Sequence, residues 1–454
     1  MKLTRMSLVL VFLVAFSGSL FAGGFALSGV GSRAISMGGA FRALADDGTS
    51  MYWNPAGLAF TNETNISLGG SFFLPSATWK NDRTLPGYIT DEEYESQKKL
   101  RTFPSIFLTE ENEARWKWGF SVYVPYGLGS TWDAYQLPTV GMPGQPDSTL
   151  TYSDGFPEDD MMSSIAVIDA HPTIAYKILD NLSIGAGASL MYGLIDLRKI
   201  VPPSADSPLA PYTYYTPTSF DMSGTGIGIG ANFGVLYKPM PRLSLALTGR
   251  TPSTIAMKGD ADIKLWIPDG VTLPIPSGVY GTTDSPMDIT ADLPLPAEIG
   301  GGLSFRVLPN MSVSMDYAYT MWSDLDKVTV ELDEPVEILG NSISERDLIF
   351  KWEDTSRISV GTEYMLPCSS IRAGFYWEQS PIPDETQIPT LPDINDKISL
   401  NLGYGRTIGR WTVDLNGQYT AFAERVIDTP TADNMTGTYN ANVISGNVGI
   451  GYRF

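Results

Sequence analysis

The last fifteen residues of the chain, 440–454, read NANVISGNVGIGYRF and decide the fold class. One parity of this stretch carries Ile444, Gly446, Val448, Ile450, Tyr452 and Phe454. The other parity carries Ser445, Asn447, Gly449, Gly451 and Arg453. A period of two indicates an extended strand with one apolar and one polar face. The sequence therefore ends in a two-faced β-strand whose final side chain is aromatic.

This ending resembles the C-terminal strand of bacterial outer-membrane barrels, in which lipid-facing and lumen-facing residues alternate. The resemblance implies that Phe454, with its free carboxylate, is recognised by the barrel assembly machinery. A β-protein of another class that happens to end in phenylalanine is the alternative. The rest of the sequence has to separate the two.

Alternation of the same kind recurs in the interior of the chain. In 371–378 the odd positions are apolar or aromatic, and the even positions carry Arg, Gly, Tyr and Glu. The stretches 398–404, 411–416 and 242–247 follow the same period. A soluble β-sandwich buries the apolar face of such strands, whereas a transmembrane barrel turns that face to lipid. Local alternation alone does not distinguish these folds.

Composition excludes several classes of protein. The chain has 454 residues, of which 43% are hydrophobic and 11% aromatic, which is too apolar for a disordered chain. Cys368 is the sole cysteine and His171 the sole histidine, so neither an internal disulfide nor a multi-His or Cys-rich zinc site is expected. The net charge of -20 argues against nucleic acid as a partner, because phosphate binding needs clustered cations.

Residues 1–22 are typical of a secretory signal peptide. Lys2 and Arg5 supply the positive start, 8–16 the apolar segment and Ala22 a small residue for cleavage. No later run of about 18 apolar residues follows, so membrane-spanning helices are not expected. The remaining choices are a secreted soluble β-protein and a barrel in an outer membrane of the Gram-negative type, and the chain end favours the barrel.

Fourteen alternating segments follow, an even number as in single-chain outer-membrane barrels. We predict strands at 64–74, 102–110, 115–127, 162–178, 182–200, 222–238, 242–263, 288–307, 311–332, 348–366, 369–383, 393–408, 409–429 and 440–454. Tight turns at 239–241, 309–310 and 367–368 alternate with long connections at 75–101, 128–161, 201–221, 264–287 and 430–439. The predicted fold is all-β, a fourteen-stranded antiparallel transmembrane β-barrel over 64–454.

Residues 23–63 do not follow the strand pattern. They are rich in Gly and Ala, and the spacing of Ile35, Phe41 and Leu44 suits short helical turns. Asn54 and Pro55 suit the N-cap and first position of a further turn. A segment of this length without its own core must pack into something else, and the inside of the barrel is available. We therefore predict an N-terminal plug, or hatch, in the lumen.

The same residues carry a family resemblance. The segment contains GSRA (31–34), MGGAF (37–41), LADD (44–47) and NPAGLA (54–59). In order along the chain follow LPLPAEIGGGLSFRV from Leu293, DYAYTMWSDL from Asp316, RISVGTEY from Arg357, SPIPDE from Ser380 and LPDINDKISLNLGYG from Leu391. This ordered set resembles the FadL family of outer-membrane transporters of long-chain fatty acids and hydrocarbons, which includes TodX-type aromatic hydrocarbon channels.

The resemblance implies a monomeric barrel, surrounded by outer-membrane lipid and lipopolysaccharide, that passes hydrophobic molecules by diffusion without a cofactor. By the same resemblance, Phe25, Ala26 and Leu27 match the plug residues that reach the ligand, and Asn54, Pro55 and Ala56 match the NPA piece of the hatch. A helix start that only packs on the wall is the alternative reading of the NPA piece.

The family also has a lateral opening where the third strand is kinked, and Val124, Pro125, Tyr126 and Gly127 are the matching residues here. Proline donates no ladder hydrogen bond, so it marks a bulge or a broken pairing in a closed barrel. The alternative is that Pro125 only ends the strand above the membrane.

Charged residues of lumen parity are expected to form paired networks inside the barrel. They are Arg242, Arg250, Asp316, Arg357, Glu363, Arg372, Glu378 and Asp414. Arg198, Lys199 and Lys327 are weaker candidates for meeting a fatty acid head group. The sequence holds no phosphate-binding loop, nucleophile elbow or HExxH motif, so no catalysis and no metal site are predicted. A general polar porin and a structural or adhesive barrel are the alternative functions.

Overall fold

The computed structural model describes residues 24–61, 64–83, 87–110, 114–138, 140–142, 145–152, 155–157, 159–201, 215–271, 286–338, 341–391 and 393–454. The predicted signal peptide, 1–22, lies outside the described residues. Within them, no helix is both long enough and apolar enough to cross a membrane.

Strands dominate the described chain. They are β1 (Asn65–Lys80), β2 (Glu93–Glu95), β3 (Arg101–Thr109), β4 (Trp116–Trp132), β5 (Val140–Met142), β6 (Gln145–Thr149), β7 (Met161–Leu179), β8 (Leu182–Val201), β9 (Thr218–Met240), β10 (Leu243–Arg250), β11 (Ser253–Leu265), β12 (Met287–Leu295), β13 (Ala297–Leu308), β14 (Met311–Met321), β15 (Lys327–Ile338), β16 (Asn341–Ile349), β17 (Thr355–Leu366), β18 (Ser369–Glu378), β19 (Lys397–Ile408), β20 (Trp411–Phe422), β21 (Arg425–Ile427) and β22 (Gly437–Arg453).

Within the described residues these segments close into a ring of fourteen antiparallel barrel strands. The C-terminal strand β22 pairs with β20 on one side and with β1 on the other, from Asn65 opposite Arg453 to Lys80 opposite Thr438. Ring closure gives every barrel strand a partner on both sides along at least part of its length, as a bilayer requires because lipid offers no hydrogen bonds. The predicted strand number and the antiparallel arrangement are confirmed.

Four of the fourteen barrel strands are interrupted at similar heights. β10 and β11, β12 and β13, β14 and β15, and β16 and β17 each form one barrel strand in two parts. The breaks fall at 251–252, at Pro296, at the 3-10 turn Trp322–Asp324 and at 350–354. Continuous strands were predicted there, and periodicity does not show such breaks because the alternation resumes beyond them.

Strand ends also differ from the prediction. The eleventh barrel strand, β18, ends at Glu378 instead of 383, and β19 begins at Lys397 instead of 393. Prolines at 381, 383 and 389 remove backbone donors from the intervening segment, which explains why it leaves the ladder. Residues 333–338 and 341–347, which were predicted to be outside strands, extend β15 and β16 as paired strands instead.

The apolar faces of the strands point outward. Ile229, Leu247 and Leu402 expose 74%, 59% and 68% of their surface, while lumen-parity residues such as Asn401 and Asn447 are buried. A soluble sandwich would show the reverse. Aromatic side chains, including Trp411 and Tyr452, flank the exposed belt at the end of the barrel that carries the short turns. This arrangement is that of a barrel whose outer surface meets lipid.

The residues from 24 to 61, called the hatch below, lie inside the ring. They contain helix α1 (Ser32–Ser36), helix α2 (Ser50–Trp53) and the 3-10 helix Pro55–Phe60. Helix α1 packs on β18, β19, β20 and β22, and the 3-10 helix packs on β7, β8 and β9. The hatch therefore touches opposite walls of the lumen.

Candidate functional site

Close backbone approach seats the hatch on the wall. Gly38 has a φ of 66° and lies against β18, and a Cβ there would lie 2.6 Å from the carbonyl oxygen of Phe375. A side chain at this position would therefore meet both backbone strain and a steric clash. The MGGAF motif fits the wall because its glycine has no side chain.

An ionic anchor fixes the middle of the hatch to β13 and β14. The backbone N–H groups of Phe41 and Arg42 donate to one carboxylate oxygen of Asp316 at 2.9 and 2.8 Å. The Arg42 guanidinium lies 3.6 Å from Asp316 and also pairs with Glu298. Asp316 is 1% exposed, so these interactions form away from bulk water. The expected network of lumen charges thus reaches into the hatch.

A second anchor joins helix α1 to the neighbouring part of the wall, where β17 pairs with β14. Arg33 pairs with Glu363 of β17 at 2.8 Å, and Glu363 also accepts from Arg372 of β18 at 2.7 Å. Arg372 continues the chain to Asp414 of β20. Arg357, Glu378 and Lys397 form a further group of ion pairs. Arg242 differs from the expectation, because it is exposed at a turn.

Asn54 anchors the third part of the hatch. Its side-chain oxygen accepts from the backbone N–H of Ala56 at 3.1 Å, and Pro55 begins the 3-10 helix, as the sequence predicted. Its amide nitrogen donates to the carbonyls of Arg42 at 2.9 Å and of Val235 in β9 at 3.3 Å. One side chain therefore caps a helix and ties the hatch to the wall.

Replacing Asn54 with alanine is expected to loosen the 3-10 helix. Loss of an N-cap costs about 1–2 kcal/mol, so the exchange of amide hydrogens in 56–61 should accelerate about fivefold to thirtyfold. Hydrogen exchange measured by mass spectrometry checks this result. Asn440→Ala, at an exposed strand position, is the matched control and should leave those amides unchanged.

The first residues of the hatch lie in an aromatic cluster. The Phe25 ring lies 4.8 Å from the ring of Trp322, 5.4 Å from that of Trp352 and 5.8 Å from that of Tyr126, measured between centroids. Phe25 is 7% exposed. The two tryptophans come from the breaks in β14–β15 and β16–β17, where the chain turns inward. Sequence reasoning missed them, although the polar Ser323 and Asp324 after Trp322 signal a break in alternation.

The wall beside this cluster is not fully hydrogen-bonded. β3 and β4 pair only from Ile106 opposite Val122 to Thr109 opposite Gly119. Beyond that point β4 carries a bulge between Tyr123 and Tyr126 in its pairing with β7. No ladder joins 101–105 of β3 to 123–130 of β4 within the described residues, and we call this region the wall gap.

The hatch pairs with the free edge of β4 at the wall gap. The N–H of Leu27 donates to the carbonyl of Pro125 at 3.0 Å, and the N–H of Gly127 donates to the carbonyl of Phe25 at 3.1 Å. Ala26 and Tyr126 form an antiparallel bridge. The structure therefore brings together the two predicted sets, 25–27 and 124–127, which are about 100 residues apart in sequence.

A cavity of about 190 Å³, called the outer cavity, lies on one side of Phe25. Its lining is mostly apolar and includes Phe25, Ile165, Ile195, Leu293, Phe350, Trp352, Ile382 and Leu391. Lys199, Arg346 and Asp433 also line it. Neither Lys199 nor Arg346 makes an ion pair with the described part of the chain. The end of the barrel that carries the long loops thus contains a mostly apolar cavity whose lining includes two basic side chains.

The three basic residues that were candidates for contact with a head group lie in different environments. Arg198 pairs with Asp221, and Lys327 pairs with Asp347 at 2.7 Å. Lys199 alone reaches the outer cavity. Arg346, which no sequence pattern singled out, lies beside it because β16 folds back along β15.

Buried carboxyls also occur near the hatch. Asp393, in the loop before β19, lines the outer cavity and lies 3.6 Å from Lys397. Burial raises the pKa of Asp393 to about 7, and Lys397 opposes that shift. His171 is buried in the wall between Ser189 and Asn232, and Asn232 donates to the Met51 carbonyl of the hatch. His171 is therefore a lumen residue that supports the hatch seat.

Comparison with known proteins adds sequence and fold relatives. The sequence model of the family described as "Outer membrane protein transport protein (OMPP1/FadL/TodX)" matches residues 13–454. A long-chain fatty acid transport protein of Salmonella typhi is 26% identical over 396 residues, covering 84% of this chain and 81% of that protein.

Two solved structures share the fold. A Pseudomonas aeruginosa FadL homologue superposes with a TM-score of 0.76 at 19% identity, covering 95% of this chain and 100% of that one. The toluene transporter TodX of Pseudomonas putida gives a TM-score of 0.69 at 17% identity, with coverages of 96% and 100%.

Proposed function

The chain belongs to the outer-membrane transport family that includes FadL and TodX, and from this premise we propose that it carries hydrophobic molecules across the outer membrane by passive diffusion. The cargo class is that of long-chain fatty acids or hydrocarbons. The family and the Salmonella typhi relative are described as transport proteins, and we assign no catalysis and no cofactor to this chain.

The observation that carries the proposal is the position of Phe25. It forms one wall of the outer cavity and closes the way from that cavity to the wall gap, where its own backbone pairs with β4. A ligand in the outer cavity and the Phe25 ring compete for the surface of Trp352, which lines the cavity and packs against Phe25. Binding of cargo would therefore displace 25–27 and uncover the gap.

The energetics of an apolar cargo favour such a route. Burial stabilises a chain by about 0.8 kcal/mol per methylene, so about 14 methylenes gain about 11 kcal/mol before entropy costs. An apolar cavity captures this energy, whereas a water-filled pore does not. Release then requires a second apolar environment, and the lipid beside the wall gap supplies one.

Lys199 and Arg346 support a cargo with an anionic head. Both line the outer cavity and make no ion pair with the described residues, while the same lining also holds Asp196, Asp347, Asp393 and Asp433. A carboxylate is the group that the two cations attract. A purely hydrocarbon cargo would leave both cations without a partner from the ligand. We therefore propose a long-chain monocarboxylate as the preferred cargo.

The barrel is proposed to work as a monomer, since one chain closes the ring. Lipid and lipopolysaccharide would surround its exposed belt. Phe454, which is 69% exposed, is proposed to be read by the assembly machinery during folding. A polar porin is disfavoured because three groups of contacts hold the hatch across the lumen.

Uptake assays test the proposal. Cells that lack their own transporter and express this protein should take up radiolabelled oleate faster than cells with an empty vector. Protein purified in detergent should yield a bound fatty acid or hydrocarbon by native mass spectrometry. Wide, steady ion currents from the wild-type protein in planar bilayers, without oleate uptake, would identify a porin instead.

A further inference from the structure

A second cavity lies on the other side of the N-terminal segment, at the inner mouth of the wall gap. We call it the gap cavity. Its lining includes Ala26, Arg101, Phe103, Gly129, Lys397 and Gln418. It separates the hatch from the part of the wall where β3 and β4 are unpaired.

Arg101 has an unusual environment for an arginine in a barrel wall. It shares the lumen parity of Phe107, which is buried under the hatch. Its Nε atom is buried and has no hydrogen-bond partner, and its guanidinium makes no ion pair within the described residues. The residue as a whole is partly buried, and a cation shielded from water on one side is normally neutralised in proteins by a carboxylate.

The guanidinium lies directly over the gap. A Cβ placed on Gly129 of β4 would lie 2.6 Å from an Arg101 terminal nitrogen. Two residues earlier in β4, a Cβ on Gly127 would lie 2.8 Å from the Phe103 ring. Arg101 and Phe103 of β3 therefore cover glycines of β4, so one charged and one apolar side chain close the unpaired wall.

The charges around the gap cavity are one-sided. No aspartate or glutamate is among its described lining residues. Lys397 also lines it, but its ammonium group already lies 3.5 Å from Glu378 and 3.6 Å from Asp393. Arg101 is thus the cation left to meet an incoming anion, and the polar amide of Gln418 lies nearby.

We propose that Arg101 binds the carboxylate of the cargo in the gap cavity while the acyl chain passes between Phe103 and Gly127 into the membrane. This inference rests on the proposed function and deepens it, because it adds a head-group site at the exit. Carboxylate and lipid phosphate share the oxyanion chemistry that a guanidinium recognises. Arg101 lies on the lumen side of β3, and residues of the hatch also line the gap cavity. We therefore assign the oxyanion to the cargo.

The test compares two cargoes of equal chain length, palmitate and hexadecane, in Arg101→Met. Methionine keeps an unbranched apolar stem and removes the charge. Uptake of palmitate should fall at least tenfold, while uptake of hexadecane should stay within about twofold of wild type. Arg101→Lys should restore part of the palmitate uptake. Arg306→Met, at an exposed strand position, is the matched control and should change neither.

Each other outcome has a defined meaning. Equal loss of both cargoes, or unchanged palmitate uptake, would overturn the assignment of Arg101. Loss of the palmitate effect in vesicles that contain phospholipid without lipopolysaccharide would transfer the site to a phosphate of lipopolysaccharide and overturn it as well. If the wild type transported neither cargo, the proposed function would fail. In that case, binding of tritiated palmitate to the detergent-purified proteins decides the Arg101 site separately. The affinity of Arg101→Met is expected to be at least tenfold lower than that of wild type.

Discussion

The substitution Asp316→Ala is expected to convert a closed barrel into an ion-conducting one. The change removes the acceptor for the backbone N–H groups of Phe41 and Arg42. It leaves the Arg42 guanidinium paired with Glu298 and hydrogen-bonded to Thr248. Breaking a buried charged contact by removing one partner costs about 3–5 kcal/mol. The population of barrels with a displaced hatch should therefore rise about a hundredfold to several thousandfold.

Single-channel recording in planar bilayers measures this effect, and sensitivity of cells to large antibiotics that the outer membrane normally excludes reports it in vivo. Asp324→Ala removes an exposed carboxylate just beyond the same strand and is the matched control. If Asp316→Ala barrels fold and stay as closed as the control, Asp316 does not hold the hatch.

The substitution Gly127→Leu is expected to abolish uptake through the wall gap. The new side chain would start 2.8 Å from the Phe103 ring, so it must fill the space between β3 and β4. The ladder between β4 and β7 resumes at Tyr126 and does not need Phe103 to move away, so the barrel should still assemble. Uptake of oleate should fall at least tenfold while oleate binding to the purified protein persists.

The matched control is Gly417→Leu. A Cβ at Gly417 has no neighbour within 4 Å, and this residue faces outward from β20. The control should fold, as judged by heat-modifiable migration in gels, and transport normally. Normal uptake by a folded Gly127→Leu barrel would show that cargo leaves elsewhere, and the reading of Pro125 as a strand end alone would regain support.

Much of the architecture was predictable because alternation records which side of a strand meets lipid. Arg372 and Glu363 could be placed in the lumen from parity alone, and Asn54 followed by Pro55 predicted a capped turn that the structure confirms. The ends of β18 and β19 were placed wrongly, because the residues between them alternate in polarity while prolines break the ladder.

The site was predictable only in pieces. Phe25 to Leu27 and Val124 to Gly127 were selected from the family resemblance, yet nothing in the sequence says that their backbones pair. Trp322, Trp352, Arg101 and Arg346 were not selected. Parity fixes the side of the wall on which a residue lies, but a residue's height in the barrel depends on the stagger between strands.

The sequence by itself predicted the fold class and the strand number, from strand alternation together with the resemblance of the chain end to outer-membrane barrels. It predicted an inner segment from the composition of 23–63. Tertiary structure decided which residues meet at the gap. Phe25 and Trp322 lie about 300 positions apart, and only the closure of the ring, with the hatch enclosed, sets that distance. The unpaired stretch between β3 and β4 likewise exists because the bulge in β4 shifts its edge away from β3, which a pattern read one strand at a time does not contain.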